Sequence, residues 1–304
     1  MKHLALLLLL VVSLAWTARA DRAEESRLCQ KPLAPKTLVT KLKGNLPADR
    51  ELEVRVGPRA TETAGAFRLG ATALGGAFLG VAKDTVDTRR DLGLDEANVG
   101  AQIELDWQFQ PLWHLLFAYK YDQAERTVNL PTDLSFAGAY FAKGSRFRSD
   151  AELHQVDLLV GRDFHKDETL KVMPFLGVKA LVAEFEGTGT RTSVVNPAAI
   201  GAAAGYATSA FHQRDTAWLV TWLAGFDARV HVSREWYWGI SPAFSALSGW
   251  WGLQGQLYTG YDFSPEWGLR AGFDALYGQY SSDRFDQKAD AGLGAVFLEA
   301  VWGF

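Results

Sequence analysis

Ser209, His212 and Asp215 lie close together in the sequence, and they are the residue types from which a nucleophile, a general base and an orienting carboxylate are made. Ser209 and His212 lie in, and Asp215 directly follows, a stretch, 187–214, rich in Gly, Ala, Ser and Thr, in which residues 198–205 carry no charge. The stretch reads as a long surface loop, either mobile or folded inward as a constriction. A triad is defined by geometry and not by nearness in sequence, so no catalytic residue is assigned, and the set stands as the candidate for a surface enzyme acting on lipid or peptide. The other histidines beyond residue 20 are His114, His154, His165 and His231. None has the spacing of a metal site, and no glycine-rich loop suits a phosphate, so neither a metal nor a cofactor is expected. Cys29 is the single cysteine, which excludes an intrachain disulfide and a cysteine-built metal centre.

The elements that would position such residues begin with an export segment. Lys2 and His3, an apolar run over 4–14 and Ala18-Arg19-Ala20 predict a secretory signal over residues 1–20. The run is too short for a membrane-spanning helix, which needs about 20 residues. Cys29 lies well past it, behind Asp21, Glu24 and Glu25, so a lipid-anchored cysteine is not expected. Removing Lys2 and Arg19 takes the net charge from -4 to -6, which argues against a nucleic-acid partner. Hydrophobic residues make up 48% of the chain, yet no later stretch is long and apolar enough for a membrane helix. Strands with one apolar and one polar face have that balance.

Residues 21–62 hold mixed charges and four prolines, and read as a largely extended periplasmic leader; Leu52, Val54 and Val56 alternate with charges there and allow a short strand. From 63 to 304 the texture is strand-like. Period-two alternation predicts about ten strands, near 65–80, 97–109, 112–126, 148–164, 169–186, 215–233, 235–247, 251–263, 267–281 and at the C-terminus. Tight connections at Gln110-Pro111, 165–168, 233–235 and 264–266 alternate with longer ones at 81–96, 127–147 and 187–214, the link near 248–250 being the short exception. Such alternation, with an even strand number, predicts an all-β, transmembrane, antiparallel up-and-down barrel with periplasmic turns and outer loops.

The last strand presents Val296, Leu298, Ala300, Trp302 and Phe304 on one uncharged face. Trp107, Phe109, Trp113, Phe164, Trp236, Trp267, Trp302 and Phe304 all fall beside the short turns, as an interfacial aromatic girdle would. With the segment Asp91-Leu92-Gly93-Leu94-Asp95-Glu96 before a strand, and Val128-Asn129-Leu130-Pro131-Thr132-Asp133-Leu134-Ser135-Phe136 after the next hairpin, the chain resembles an uncharacterised group of proteobacterial outer-membrane β-barrel proteins over roughly residues 65–304. The resemblance implies outer-membrane lipid around the barrel. It also implies that the assembly machinery reads Trp302 and Phe304 as a C-terminal signal. It implies no catalytic residue.

The face opposite the apolar one predicts a charged lumen: Arg68, Glu104, Asp106, Lys120, Asp122, Asp157, Lys179, Asp227, Arg229, Arg270, Asp274 and Glu299, with Asp163, Lys171 and Asp262 near the turns. About eight strands give a lumen that side chains fill, whereas open porins need about sixteen. Buried charges must then pair across the lumen. The expectation is a non-catalytic outer-membrane barrel, structural or with a narrow pore. The alternatives are a surface-facing enzyme on lipid or peptide, and an adhesion or partner-docking barrel.

Overall fold

Alternating side chains leave a strand two different faces, and closing the sheet assigns one face to each side of a wall. The computed structural model describes residues 51–68, 85–87, 98–136, 139–167, 169–195, 205–247, 249–282 and 287–304. Ten antiparallel strands form the wall: β1 Leu52–Arg68, β2 Asn98–Gln110, β3 Trp113–Asn129, β4 Arg146–Arg162, β5 Leu170–Val195, β6 Gly205–His231, β7 Trp236–Leu247, β8 Trp250–Asp262, β9 Trp267–Ser282 and β10 Gln287–Gly303. Each pairs with its sequence neighbours, and β10 pairs with β1 to close the cylinder. Short strands at Thr85–Asp87 (against β1), Leu134–Phe136 with Ala139–Phe141, and His165–Lys166 are added outside this ring. The described residues contain no helix.

Two predicted boundaries are corrected. The first strand is Leu52–Arg68, so residues 52–62 are barrel wall and not leader, and the barrel starts before residue 63. Pro58 hid this, because proline lacks the N–H that a ladder uses. The chain accommodates it where the β1–β10 ladder skips two pairs without changing register, between Val56↔Ala300 and Arg59↔Phe297. Gly57 is needed beside it: a Cβ there would lie 1.9 Å from the Leu298 carbonyl oxygen. The second correction is the stretch 187–214. Most of it is strand, because β5 runs to Val195 and β6 starts at Gly205, and the two stay in register throughout. Alternation of small and polar residues there carries the ladder without the bulky apolar face that marks a lipid-facing strand. The signal 1–20, residues 21–50, Cys29, the predicted strand over 69–80 and the segment 91–96 lie outside the described residues.

The outward face is apolar over a band of limited height. On β3 it runs from Trp113 to Tyr121 and gives way to Gln123 and Glu125; on β6 it runs from Val230 up to Trp218 and gives way to Thr216, Arg214 and His212. On β3 that band matches the roughly 9–11 residues a tilted strand needs to cross hydrocarbon, and on β6 it is slightly longer. Trp222 is 60%, Leu257 55% and Val296 62% exposed, values a water-facing wall of such continuity would not sustain. At the short-turn end Trp113, Phe164, Trp236, Trp267 and Phe304 are exposed, and the Trp267 and Trp302 rings pack 4.3 Å apart, as the predicted girdle requires. Beyond the band β3–β6 continue as a taller wall, with β5 of 26 and β6 of 27 residues against 12 in β7.

Candidate functional site

The inward face holds the polar side chains that the alternation assigns to it, and the ring of strands brings them together from all sides. At the short-turn end His114 Nδ1 lies 2.7 Å from Asp106 Oδ1 and its Nε2 lies 3.3 Å from Asp163, which Lys171 also approaches at 3.3 Å. Arg229 of β6 faces Glu53 of β1 at 3.8 Å, half the ring away, and stacks 4.7 Å over Tyr237.

A denser layer follows. Arg55 donates to Glu53 at 2.6 Å and to Glu104 at 2.8 Å. Arg270 donates to Glu104 at 3.2 Å and to Gln256 at 2.6 Å, pairs with Glu299 at 3.4 Å and lies 4.0 Å over the Tyr258 ring. Gln102 donates to Glu299 at 2.7 Å, and the Tyr258 hydroxyl donates to Asp227 at 2.7 Å. Above this, Arg59 pairs with Asp122 at 2.9 Å and Asp274 at 3.6 Å, Lys120 of β3 reaches across to Asp274 of β9, and Lys179 pairs with Asp157 at 2.7 Å. Arg270, Lys179 and Glu299 are at most 2% exposed, so these contacts are screened from bulk solvent.

Eleven of the twelve lumen charges named from the sequence therefore sit on the inward face of described strands with a polar or charged partner, and the side chain of Arg68 lies outside the described residues. Sequence reasoning missed Glu53, Arg55 and Arg59, which hold the network from the β1 side. The signal was present in Glu53, Arg55 and Arg59 alternating with Leu52, Val54, Val56 and Pro58, but it was assigned to the leader. It also missed the apolar roof. Phe141, from the β3–β4 connection, is fully buried against the inward Phe147 and Phe211, with ring centroids 5.1 and 5.0 Å away, and Leu130, Ala124 and Phe185 complete the cluster. The inward-folded connection is thus the one between β3 and β4, not 187–214.

Ser209 and His212 lie on β6, and three residues apart on a strand point to opposite faces. His212 Nδ1 instead faces Glu186 at 3.6 Å; the Asp215 side chain lies outside those described. The geometry does not assemble a triad. Among the described residues no cluster of His, Cys, Asp or Glu is arranged to hold a metal. Outside the band, Arg214 donates to Glu184 and holds that carboxyl below its ordinary range, and in the β4–β5 turn the Thr169 and Leu170 amides hold the Asp167 carboxyl at about 2.

The chain matches no protein-family model and no curated protein in sequence. Its fold is similar to solved outer-membrane barrels. The outer-membrane protease OmpT from Escherichia coli shares 9% identity, with 88% of this chain and 99% of that chain covered and a TM-score of 0.49. Ail, the attachment invasion locus protein of Yersinia pestis, shares 11% over 83% and 99%, with a TM-score of 0.31. The toluene transporter TodX of P. putida shares 7% over 84% and 90%, with a TM-score of 0.34. A protease, an attachment protein and a transporter stand side by side among them, and no role is taken from any of them. The chain is a closed antiparallel ten-strand β-barrel.

Proposed function

We propose that this chain is a non-catalytic barrel of the bacterial outer membrane, closed to all but the smallest solutes by the ion pairs in its lumen. The observation that carries the reading is the set of contacts that cross the cylinder: Lys120 to Asp274 and Gln256 to Glu104, each four strands apart, and Arg229 to Glu53, five apart. Such bridges leave no continuous water-filled bore of porin width. The apolar outward band supports residence in lipid, and the sequence features support export by the segment 1–20 and recognition of Trp302 and Phe304 by the assembly machinery.

The test is conductance of the full mature protein in planar bilayers. Wild type should give currents near baseline, and Lys120→Ala with Asp274→Ala should add discrete small openings. Large, steady currents from wild type would refute a closed lumen. A catalytic role is checked by lipase and peptidase assays on Ser209→Ala and His212→Ala, which should not differ from wild type.

A further inference from the structure

The described outward positions of the apolar band hold a single Lys or Arg, and it is Arg162, the last residue of β4. Alternation puts it on the outer side with Leu158 and Val160, while Gly161 and Asp163 are buried on the inner side. Its surroundings are apolar. Trp113 of β3 is directly opposite it, Val160 stands above it beside Leu176 of β5, and the exposed Phe164 follows below. The guanidinium carbon lies 5.4 Å from the centre of the Trp113 ring, within cation–π range. Among the described residues no carboxylate lies within ion-pair distance of it. The acids that follow it in the chain are engaged elsewhere. Asp163 turns inward to His114 and Lys171, and Asp167 is held by His165 and by the Thr169 and Leu170 amides.

A strained turn fixes this pair. Leu112, just before Trp113, has a φ of 72°, in the left-handed region that a leucine avoids. The Asp163 amide donates to the Leu112 carbonyl at 2.8 Å and holds the turn there. That bond joins the residue before Trp113 to the residue after Arg162, so ring and guanidinium stay side by side. Strain retained at a site points to a use for its geometry. An unpaired cation on a lipid-facing wall is costly, and it is tolerated where its head reaches headgroup level. Arg162 is at that level, beside Trp113 in the aromatic girdle of the short-turn end. Headgroups offer phosphate there, and a guanidinium binds phosphate through two parallel N–H bonds.

We propose that Arg162, seated on Trp113, binds the phosphodiester of an anionic phospholipid in the leaflet that meets the short-turn end. The acyl chains then run up the apolar wall past Val160 and Leu176. A headgroup without an amine is preferred, because a zwitterionic one brings its own cation to compete with Arg162. The proposal rests on residence of the barrel in lipid and is independent of whether the lumen conducts.

The test is native mass spectrometry of the full-length protein in detergent, titrated with phosphatidylglycerol or with phosphatidylethanolamine. Wild type should retain phosphatidylglycerol at one site, several-fold more tightly than phosphatidylethanolamine. Arg162→Gln removes the charge and its paired hydrogen bonds, so affinity should fall about tenfold or more. Arg162→Lys keeps the charge and loses the fork, so it should fall between the two. Inorganic phosphate in excess should leave the lipid bound. Equal retention by wild type and Arg162→Gln, both with compact gel mobility, would overturn the proposal. Displacement of the lipid by phosphate would do the same, because the site would then take a free anion. Insertion into phospholipid vesicles separates this result from the membrane reading. If wild type does not insert, residence in lipid fails and this site with it; if both proteins insert and retain the lipid equally, the Arg162 site alone fails.

Discussion

Replacing Arg270 with methionine tests whether the lumen is a dry ionic core or a wet passage. Arg270 is 2% exposed and serves two carboxylates, Glu104 and Glu299. Their dependence on it differs. Glu104 keeps Arg55 at 2.8 Å and the Gln256 amide at 3.2 Å, so it remains neutralised. Glu299 keeps only the Gln102 amide at 2.7 Å; among the described residues no other cation lies within ion-pair distance, and Glu299 is fully buried. Arg270→Met therefore strands one carboxylate, which in a dry interior costs about 3–5 kcal/mol. Adding Glu299→Leu removes the stranded charge, and an apolar pair of similar volume should return stability to within about 1 kcal/mol of wild type. The assay is reversible urea unfolding in lipid vesicles, followed by tryptophan fluorescence, with the midpoint read at constant slope. If Arg270→Met shifted stability by less than about 1 kcal/mol, or if Glu299→Leu gave no rescue, water would be solvating Glu299 and the closed-lumen reasoning would fail.

Three further outcomes are expected. Phe141→Ala deletes the ring that anchors the β3–β4 connection to Phe147 and Phe211; core Phe→Ala costs about 3–5 kcal/mol, here confined to that connection, so limited proteolysis should cut within 130–145 while the barrel persists. Gly57→Ala forces a Cβ onto the Leu298 carbonyl at the seam that closes the ring, so compact gel mobility should be lost, and Gly144→Ala, in an open turn at φ 82 with nothing nearby, should retain it. The Asp167 carboxyl is depressed to about 2, so its contribution to turn order is present above the ordinary aspartate value near 3.9 and fades as pH falls towards 2. Hydrogen exchange of the Thr169 and Leu170 amides should accelerate across that window in wild type and be fast throughout in Asp167→Ala, which removes the acceptor.

The wall was legible wherever one face was crowded with large apolar side chains. In β6–β10 the outward Trp222, Ile240, Leu257, Phe273 and Val296 alternate with small or polar neighbours, and both faces follow from the residues. Legibility failed where an aliphatic face was thin or interrupted. β1 shows only Leu52, Val54 and Val56 before Pro58, and the tops of β5 and β6 stand in water, where nothing requires a bulky outer face. The individual lumen charges were legible as a set, but their partners were not, because pairing depends on which strands the closed ring brings opposite. The Phe141 roof was illegible for the same reason. Its contacts lie on β4 and β6, and only the folded connection brings them to it.

Ion pairs in a lumen do not by themselves argue for a pore. An apolar filling of equal volume would be as stable as a buried ionic one, or more so. On the proposed export route, transit supplies the reason that it is absent. A strand apolar on both faces would be a continuous hydrophobic run, and runs of about 20 residues are retained as membrane helices. Alternation keeps each segment below that limit, so the inward positions must be polar before the barrel exists, and once it closes they must pair. The network of Arg55, Glu104, Arg270 and Glu299 meets that constraint with almost every charge answered by another across or beside it. The apolar cluster around Phe141 is consistent with the same limit. Its residues are drawn one or two at a time from β3–β6 and the β3–β4 connection, so no one segment carries the hydrophobic load, and the roof forms only after the strands are assembled.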